Sequence, residues 1–296
     1  MTAIAGQGLH NASAERAIPI APPRDASWLA ELHQLACDGG FVPRCRCLRA
    51  GQQHGLRAQR VDSALLVLPL QGAQTVRDTT DTVVARPGET LLIARPGVID
   101  TETSPDTATG RFEAVVIAIF KETIDNARRL VPGLIQSGGR GITTLSNERV
   151  AASLTHWVAA MRTQRISLAC HALVGLVLQL HEQGFHALLE PRAERLSERI
   201  RALVADQPDH DWRSRHLESV LLMSEATIRR HLAAEGTSLR QVVVEARLSV
   251  ALDLLYTTRL PIKTVATRVG YASPSSFVRR FVERYGIEPT MIGNVG

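Results

Sequence analysis

Between residues 247 and 289 the apolar positions recur at helical spacing. Leu248, Ala251, Leu252 and Leu255 form one set, Ile262, Val265, Ala266 and Val269 a second, and Phe277, Val278 and Phe281 a third. Gly270 breaks the pattern after Val269, and Tyr271-Ala272-Ser273-Pro274 leads into the last helix. Ser273 is a helix cap, its hydroxyl placed to accept from a first-turn N–H that the helix leaves unpaired. Pro274 falls at the first helical position, where a missing N–H costs nothing. The layout is helix, short turn, helix. A second stretch, 223–236, repeats the later half of it: Ser224 caps, Glu225 suits the positive end of the helix, Ile228 and Leu232 face inward, and Arg229 and Arg230 face outward. Between the two, 238–257 is long enough for a helix of ~30 Å at about 1.5 Å per residue.

Upstream the texture changes. Residues 1–25 are rich in Gly, Ala, Pro and polar residues and read as a loose tail. Trp28, Leu29, Leu32 and Leu35 space a short amphipathic helix over 26–37. From 41 to 120, short apolar runs alternate with Gly and Pro. They predict strands at 41–48, 63–69, 74–77, 82–85, 90–94 and 112–120, and hence a small β-barrel or sandwich. Residues 147–163 and 166–182 read as helices. The second is apolar over most of its circumference, so it is buried, either against the β-structure or in a seam between two copies. Residues 188–194, with Pro191, read as a linker.

The 296 residues fit one very large domain or two ordinary ones, and an apolar fraction of 45% is enough to build cores. The formal charge is +5, and most of that excess lies from Arg192 onward. A positive balance of this size is consistent with nucleic acid and too small to prove it. No apolar run is long enough to span a bilayer, and the start lacks the basic and apolar segments of a signal peptide, so no membrane partner and a cytoplasmic location are expected. Four cysteines do not suggest a disulfide framework.

The residues Met223-Ser224, Ile228, Arg230, Leu232, Glu235-Gly236, Ser238, Arg247-Leu248, Ala251, Leu255, Ile262, Val265-Ala266, Val269-Gly270-Tyr271, Phe277, Arg280-Phe281, Gly286 and Pro289 together resemble the DNA-binding domain of the AraC/XylS transcription regulators. The strand–Pro-Gly–strand phrase 83–94 also resembles the cupin-like regulatory domain found in many of them. The resemblance implies an α+β chain: an N-terminal cupin-like β-barrel followed by helices, then an all-α C-terminal domain with two helix-turn-helix units joined by a long helix. The corresponding division is a tail at 1–25, a regulatory domain at 26–146, a helical dimerisation or support region and linker at 147–190, and a DNA-binding domain at 191–296. Within the last, the units fall at about 213–235 and 261–285, with the joining helix at 238–257. The implied partners are double-stranded DNA, RNA polymerase, a small effector and a second copy of the chain, and the implied role is transcription regulation, most often activation. The alternative is control of the N-terminal domain by another protein, with no small-molecule ligand. The chain departs from the family pattern at Glu218 and Leu222, where small or glycine residues are usual, so atypical packing of the first unit is expected.

By the same resemblance, Ala226, Arg229, Arg230, Ser275, Ser276 and Arg279 face the DNA bases. Small polar and arginine side chains suit the major groove, whereas the Ala226 methyl offers only an apolar contact. Thr227, Arg240, Lys263 and Arg280 are candidates for phosphates, which position without specifying. An enzyme is not expected. No histidine lies between His54 and His156, so the barrel lacks the usual cupin metal set, and no cofactor or catalytic residue is assigned. His33, Cys37, Cys45, Cys47 and His54 form a loose cluster. It reads as inert buried thiols, as ligands of a soft metal, or as a thiol sensor at Cys37, Cys45 and Cys47, with Arg44 and Arg46 favouring thiolate.

Overall fold

The computed structural model describes residues 27–37, 45–132 and 138–292. The expected tail at 1–25 and the start of the first expected strand, 41–44, lie outside them. The chain begins with α1 (Ser27–Cys37), whose Trp28 and Leu32 are buried one turn apart. Among the described residues nine strands follow, with one helix among them: β1 (Cys45–Ala50), β2 (His54–Val61), β3 (Ala64–Gln71), β4 (Ala73–Arg77), β5 (Thr82–Ala85), β6 (Glu89–Ile93), β7 (Gly97–Ser104), β8 (Phe112–Ile119), α2 (Lys121–Leu130) and β9 (Ile142–Ser146). They make two antiparallel sheets, β1-β8-β3-β6-β9 and β2-β7-β4-β5, so the barrel is an open pair of sheets.

The first sheet is covered on both faces, which is why its strands read as continuous apolar runs. Ala64, Leu66, Leu68, Leu92, Val115, Ile117 and Ile119 pack on one side with α1, α3 (Glu148–Arg162) and α4 (Ile166–Glu182). Val67, Leu91, Ile93, Ala114 and Val116 pack on the other with Leu56, Val76 and Ile99 of the second sheet. The second sheet buries only one face, so β2 (HGLRAQRV) and β7 (GVIDTETS) carry mostly polar letters. α4 spends its apolar circumference within the chain: Ala169, Leu173, Leu176, Val177 and Leu180 are buried, while Ile166 and Leu168 in its first turn stay exposed.

After a 3-10 turn (His186–Leu188) the chain is helical: α5 (Leu196–Asp206), α6 (Ser214–Leu221), α7 (Glu225–Ala234), α8 (Leu239–Thr257), α9 (Ile262–Arg268) and α10 (Pro274–Tyr285), then a 3-10 turn (Pro289–Met291). Ile200, Val204, Leu217, Ile228, Leu232 and Val242 form one apolar core. Leu252, Leu255, Val265, Phe277 and Phe281 belong to the cluster that continues into the space between the two sheets, so the end of α8 and the α9–α10 pair are docked on the N-terminal part.

Candidate nucleic-acid interface

α6 and α7 make the first helix-turn-helix, and α9 and α10 the second. Ser224 caps α7 by accepting from the Thr227 N–H at 3.3 Å, and Ser273 caps α10 by accepting from the Ser276 N–H at 3.4 Å. The unusual Glu218 has a place in this geometry. Its carboxylate accepts from the Glu225 N–H, a second cap at the positive end of α7. Leu222 holds the turn in the left-handed conformation (φ 54°, ψ 40°) with its side chain 89% exposed. The first unit is therefore built regularly, with an unusual turn residue and an extra cap.

Arg247, in the middle of α8, binds the two units together. Its guanidinium donates to the carbonyls of Pro208 (2.8 Å), His210 (3.0 Å) and Gly270 (3.2 Å). Gly270 takes φ +76°, and a Cβ there would lie 2.8 Å from the Arg247 guanidinium carbon and 2.9 Å from the Pro208 oxygen. Glu235 ties α7 to α5 by accepting from the N–H groups of Leu196 (2.7 Å) and Ser197 (3.1 Å). Burial works to raise its pKa, but those bonds, with the Ser197 hydroxyl, outweigh it and hold the carboxyl below its ordinary value. α10 packs on a row of rings, Tyr271, Phe277, Phe281 and Tyr285, with neighbouring centroids 4.8–5.6 Å apart.

The structure places Ala226, Arg229 and Arg230 on the exposed side of α7, with Thr227 half-buried beside its cap. Ser275 and Arg279 are exposed on α10, and Ser276 is half-buried. Arg240 and Lys263 are exposed near the starts of α8 and α9. Arg280 is exposed and paired with Glu283 at 2.9 Å, whereas Arg229, Arg230 and Arg279 have no ion pair among the described residues. Two exposed arginine-bearing helices, each second in its unit, can thus approach a duplex from one rigid body.

Sequence reasoning missed the junction between the N-terminal part and the helices, because its pairs are 130 to 210 residues apart in the chain. Arg46 of β1 pairs with Asp253 of α8 at 3.1 Å. Arg201 of α5, its side chain 4% exposed, pairs with Asp62 at 2.9 Å. His54 accepts at Nε2 from the Tyr256 hydroxyl (2.6 Å), because its Nδ1–H donates to the Gln52 carbonyl (2.9 Å). Beside these pairs opens a cavity of about 830 Å³. Apolar walls of Leu65, Ile119, Ile124, Leu188, Val250 and Leu252 meet Arg46, Arg60, Arg192 and Arg201 there. The buried Nε atoms of Arg46 and Arg60 have no hydrogen-bond acceptor; Glu245 stands 3.6 Å from the latter, near enough for its charge and too far for a bond. Burial, and next the Arg201 charge, lower the pKa of Arg60; burial, then Arg195 and Arg201, lower that of Arg192.

Cys45 and Cys47 do not match the low-pKa reading. Burial pushes Cys45 up to about 12, and burial, then the charges of Cys37 and Glu113, pushes Cys47 higher still. Arg46, paired with Asp253, does work to lower the Cys45 pKa as expected, but burial outweighs it, and Arg44 lies outside the described residues. His54 is bound to Tyr256, away from the thiols, but Cys37, Cys47 and His33 do meet, around Glu113.

A family model described as a helix-turn-helix domain matches residues 217–293, which run from the middle of α6 past the end of α10. This part of the chain is therefore a helix-turn-helix domain. The virulence regulon transcriptional activator VirF of Shigella flexneri is 30% identical over 151 residues, 50% of this chain and 56% of VirF. The transcriptional regulator GadX of Escherichia coli O6:H1 is 34% identical over 119 residues, 40% of this chain and 43% of GadX. The chain thus spans about half the length of the curated relatives it matches. In fold, the chain is similar to ToxT from Vibrio cholerae strain SCE256, a structure with an unsaturated fatty acid bound: TM-score 0.55, 16% identity, 83% of this chain and 92% of ToxT. No helix among the described residues is long and apolar enough to cross a membrane.

Proposed function

We propose that this protein is a sequence-specific DNA-binding transcription regulator, an activator, gated through its N-terminal part by a small effector. The observation that carries the reading is the pair of exposed recognition surfaces, on α7 and α10, fixed in one body by Arg247. Arg229 and Arg279 read guanine edges, each contributing discrimination of about 1–3 kcal/mol, while Arg240, Lys263 and Arg280 hold phosphates. The division at about 191 makes the helices from α5 onward the DNA-binding domain and the rest a regulatory domain. A homodimer that engages RNA polymerase in the cytoplasm completes the reading.

The effector site favoured is the cavity between β2–β3 and α5–α8. Apolar walls beside Arg192, with Asp62, Glu190 and Asp253 also in the lining, suit an amphipathic ligand, the class to which the fatty acid of ToxT belongs. An effector acts only through different affinity for two domain arrangements, and this cavity touches both parts. Footprinting of the full-length protein on its own upstream region tests the reading. The expected result is protection of two successive major grooves, altered by a medium-chain fatty acid. With Arg279→Ala the base preference relaxes at one position, and with Arg280→Ala binding weakens on all sequences and the salt slope falls by about 1. Specific affinity unchanged by both Arg229→Ala and Arg279→Ala overturns the recognition assignment. Protection altered only by a protein fraction replaces the small effector by a protein partner.

A further inference from the structure

His33 and Cys37 lie one helical turn apart, on one face of the end of α1. Cys47 and Arg49 alternate on β1 and so share a face, and Arg49 stands directly across from Glu113 of β8. The topology thus brings helix and sheet edge together around one carboxylate. Glu113 Oε1 lies 2.9 Å from His33 Nε2, 3.3 Å from Cys47 Sγ and 2.9 Å from Arg49 Nε, and Arg49 Nη2 lies 2.8 Å from Cys37 Sγ. One donor atom from each of His33, Cys37, Cys47 and Glu113 falls within 4.8 Å of all the others. Hydrogen bonds engage each member of this group singly; what they do not require is that ligand-type sulfur, nitrogen and oxygen atoms from four residues converge within 4.8 Å.

We propose that His33, Cys37, Cys47 and Glu113 are the four ligands of a zinc-type metal site. Two sulfurs, one imidazole nitrogen and one carboxylate oxygen are a tetrahedral donor set for a borderline-soft divalent ion. Bonds of about 2.0–2.3 Å place such donors roughly 3–4 Å apart, so only the widest pairs here have to draw together. Charge balances as well. Two thiolates and a carboxylate carry three negative charges, a divalent ion offsets two, and Arg49, bonded to Glu113 and Cys37, supplies the third. Arg49 would remain behind the ligands and hold them in orientation. A bound divalent ion deprotonates a coordinating thiol, so the burial that keeps Cys47 protonated is no bar to ligation. The ion would pin α1 to the β1–β8 edge, and the next residue on β1, Arg46, reaches Asp253 of α8. Cys45 and His54 take no part.

The test is titration of the reduced full-length protein with cobalt(II), followed by displacement with zinc; it reads metal uptake and stands apart from DNA binding. The expected result is one equivalent bound, with a thiolate-to-cobalt charge-transfer band and the intense visible bands of a tetrahedral ion. Cys37→Ser and Cys47→Ser each weaken uptake by about tenfold or more, a loss seen even when groups behind a ligand are disturbed. Cys170→Ser, a half-buried thiol of α4 outside the group, leaves uptake unchanged. Because a variant can fail to fold, the wild-type protein is also alkylated with and without zinc, and protection is expected at Cys37, the more accessible of the two thiols. Absence of the charge-transfer band, protection at Cys170 alone, or a Cys37–Cys47 disulfide in a protein that takes up no metal each overturns the site.

Discussion

The two helix-turn-helix units share a layout but differ in what holds them. The second is packed on aromatic rings, turns at a glycine, and belongs to an apolar cluster that runs on into the β-sheets. The first is packed on aliphatic residues in a core of its own, turns at Leu222, and meets the N-terminal sheets chiefly through the Arg201–Asp62 pair of α5. A contiguous apolar contact is costly to open, while one ion pair beside a cavity is less so. The difference teaches that the helices, joined through Arg247, are anchored to the sheets in two ways: by apolar contact at the second unit and by an ion pair beside the cavity at α5.

The largest effect is expected where the two units are joined. Gly270→Ala forces a Cβ into the Arg247 guanidinium and the Pro208 carbonyl at φ +76°. Left-handed strain of about 1–2 kcal/mol adds to overpacking of about 1–3 kcal/mol. Gly286→Ala is the matched control, because it is also left-handed (φ +80°) but has nothing within 4 Å. Urea unfolding should place Gly270→Ala well below Gly286→Ala in stability. Equal losses would mean that the Arg247 junction yields at little cost and that the two units are not one body.

That junction was half legible in the sequence. The periodicity of Val265, Val269, Phe277 and Phe281 located α9 and α10, and Ser273-Pro274 fixed the start of α10 within a residue. β3, β6 and β8 were readable because both faces of their sheet are covered, which makes their letters uniformly apolar. β2, β7 and β9 escaped notice because one face is solvated or the strand is short, and α2 because KETIDNARRL buries only Thr123 and Ala127. The residues proposed to face DNA were assigned by resemblance, and local spacing alone put them on the outer sides of α7 and α10. The groups around Glu113 and the arginines of the cavity were not legible, since register pairs Arg49 on a neighbouring strand with Glu113, far away in the sequence, and α5 returns to the link between β2 and β3. In one dimension Glu113 is one scattered acid among many.

A smaller effect sharpens the docking of the second unit. Burial lowers the His54 pKa, with the Gln52 hydrogen bond opposing it, so folding favours the neutral ring that accepts from Tyr256. A depressed folded pKa leaves this contribution intact above the unfolded value, about 6.5, and removes it as pH falls from there through the folded value. Thermal unfolding of the wild type should therefore lose stability on acidification below about pH 6.5. His54→Gln should lose less over the same range, and Tyr256→Phe, leaving the ring nitrogen unpaired, should cost about 1–2 kcal/mol at neutral pH. An identical acid slope in wild type and His54→Gln would show that this contact does not fasten α8 to the sheets.

The smallest effect is expected in the first unit, and its sign decides whether the turn there is a defect. A branched L-residue in the left-handed region costs roughly 1–2 kcal/mol, and Leu222 recovers little of it because its side chain is 89% exposed. Glycine removes that strain but gains freedom in the unfolded chain, a cost of about 0.5–1 kcal/mol. Leu222→Gly should therefore raise stability by under about 1 kcal/mol, visible as a small shift of the urea midpoint at unchanged slope. Specific DNA affinity should be unaltered, because α6 and α7 keep the Glu218 and Ser224 caps that set the angle of α7. If the substitution instead destabilises, the exposed leucine is engaged in the folded protein. Its neighbour Val220, also exposed, would then mark the first unit as a contact surface and not only as a reader of DNA.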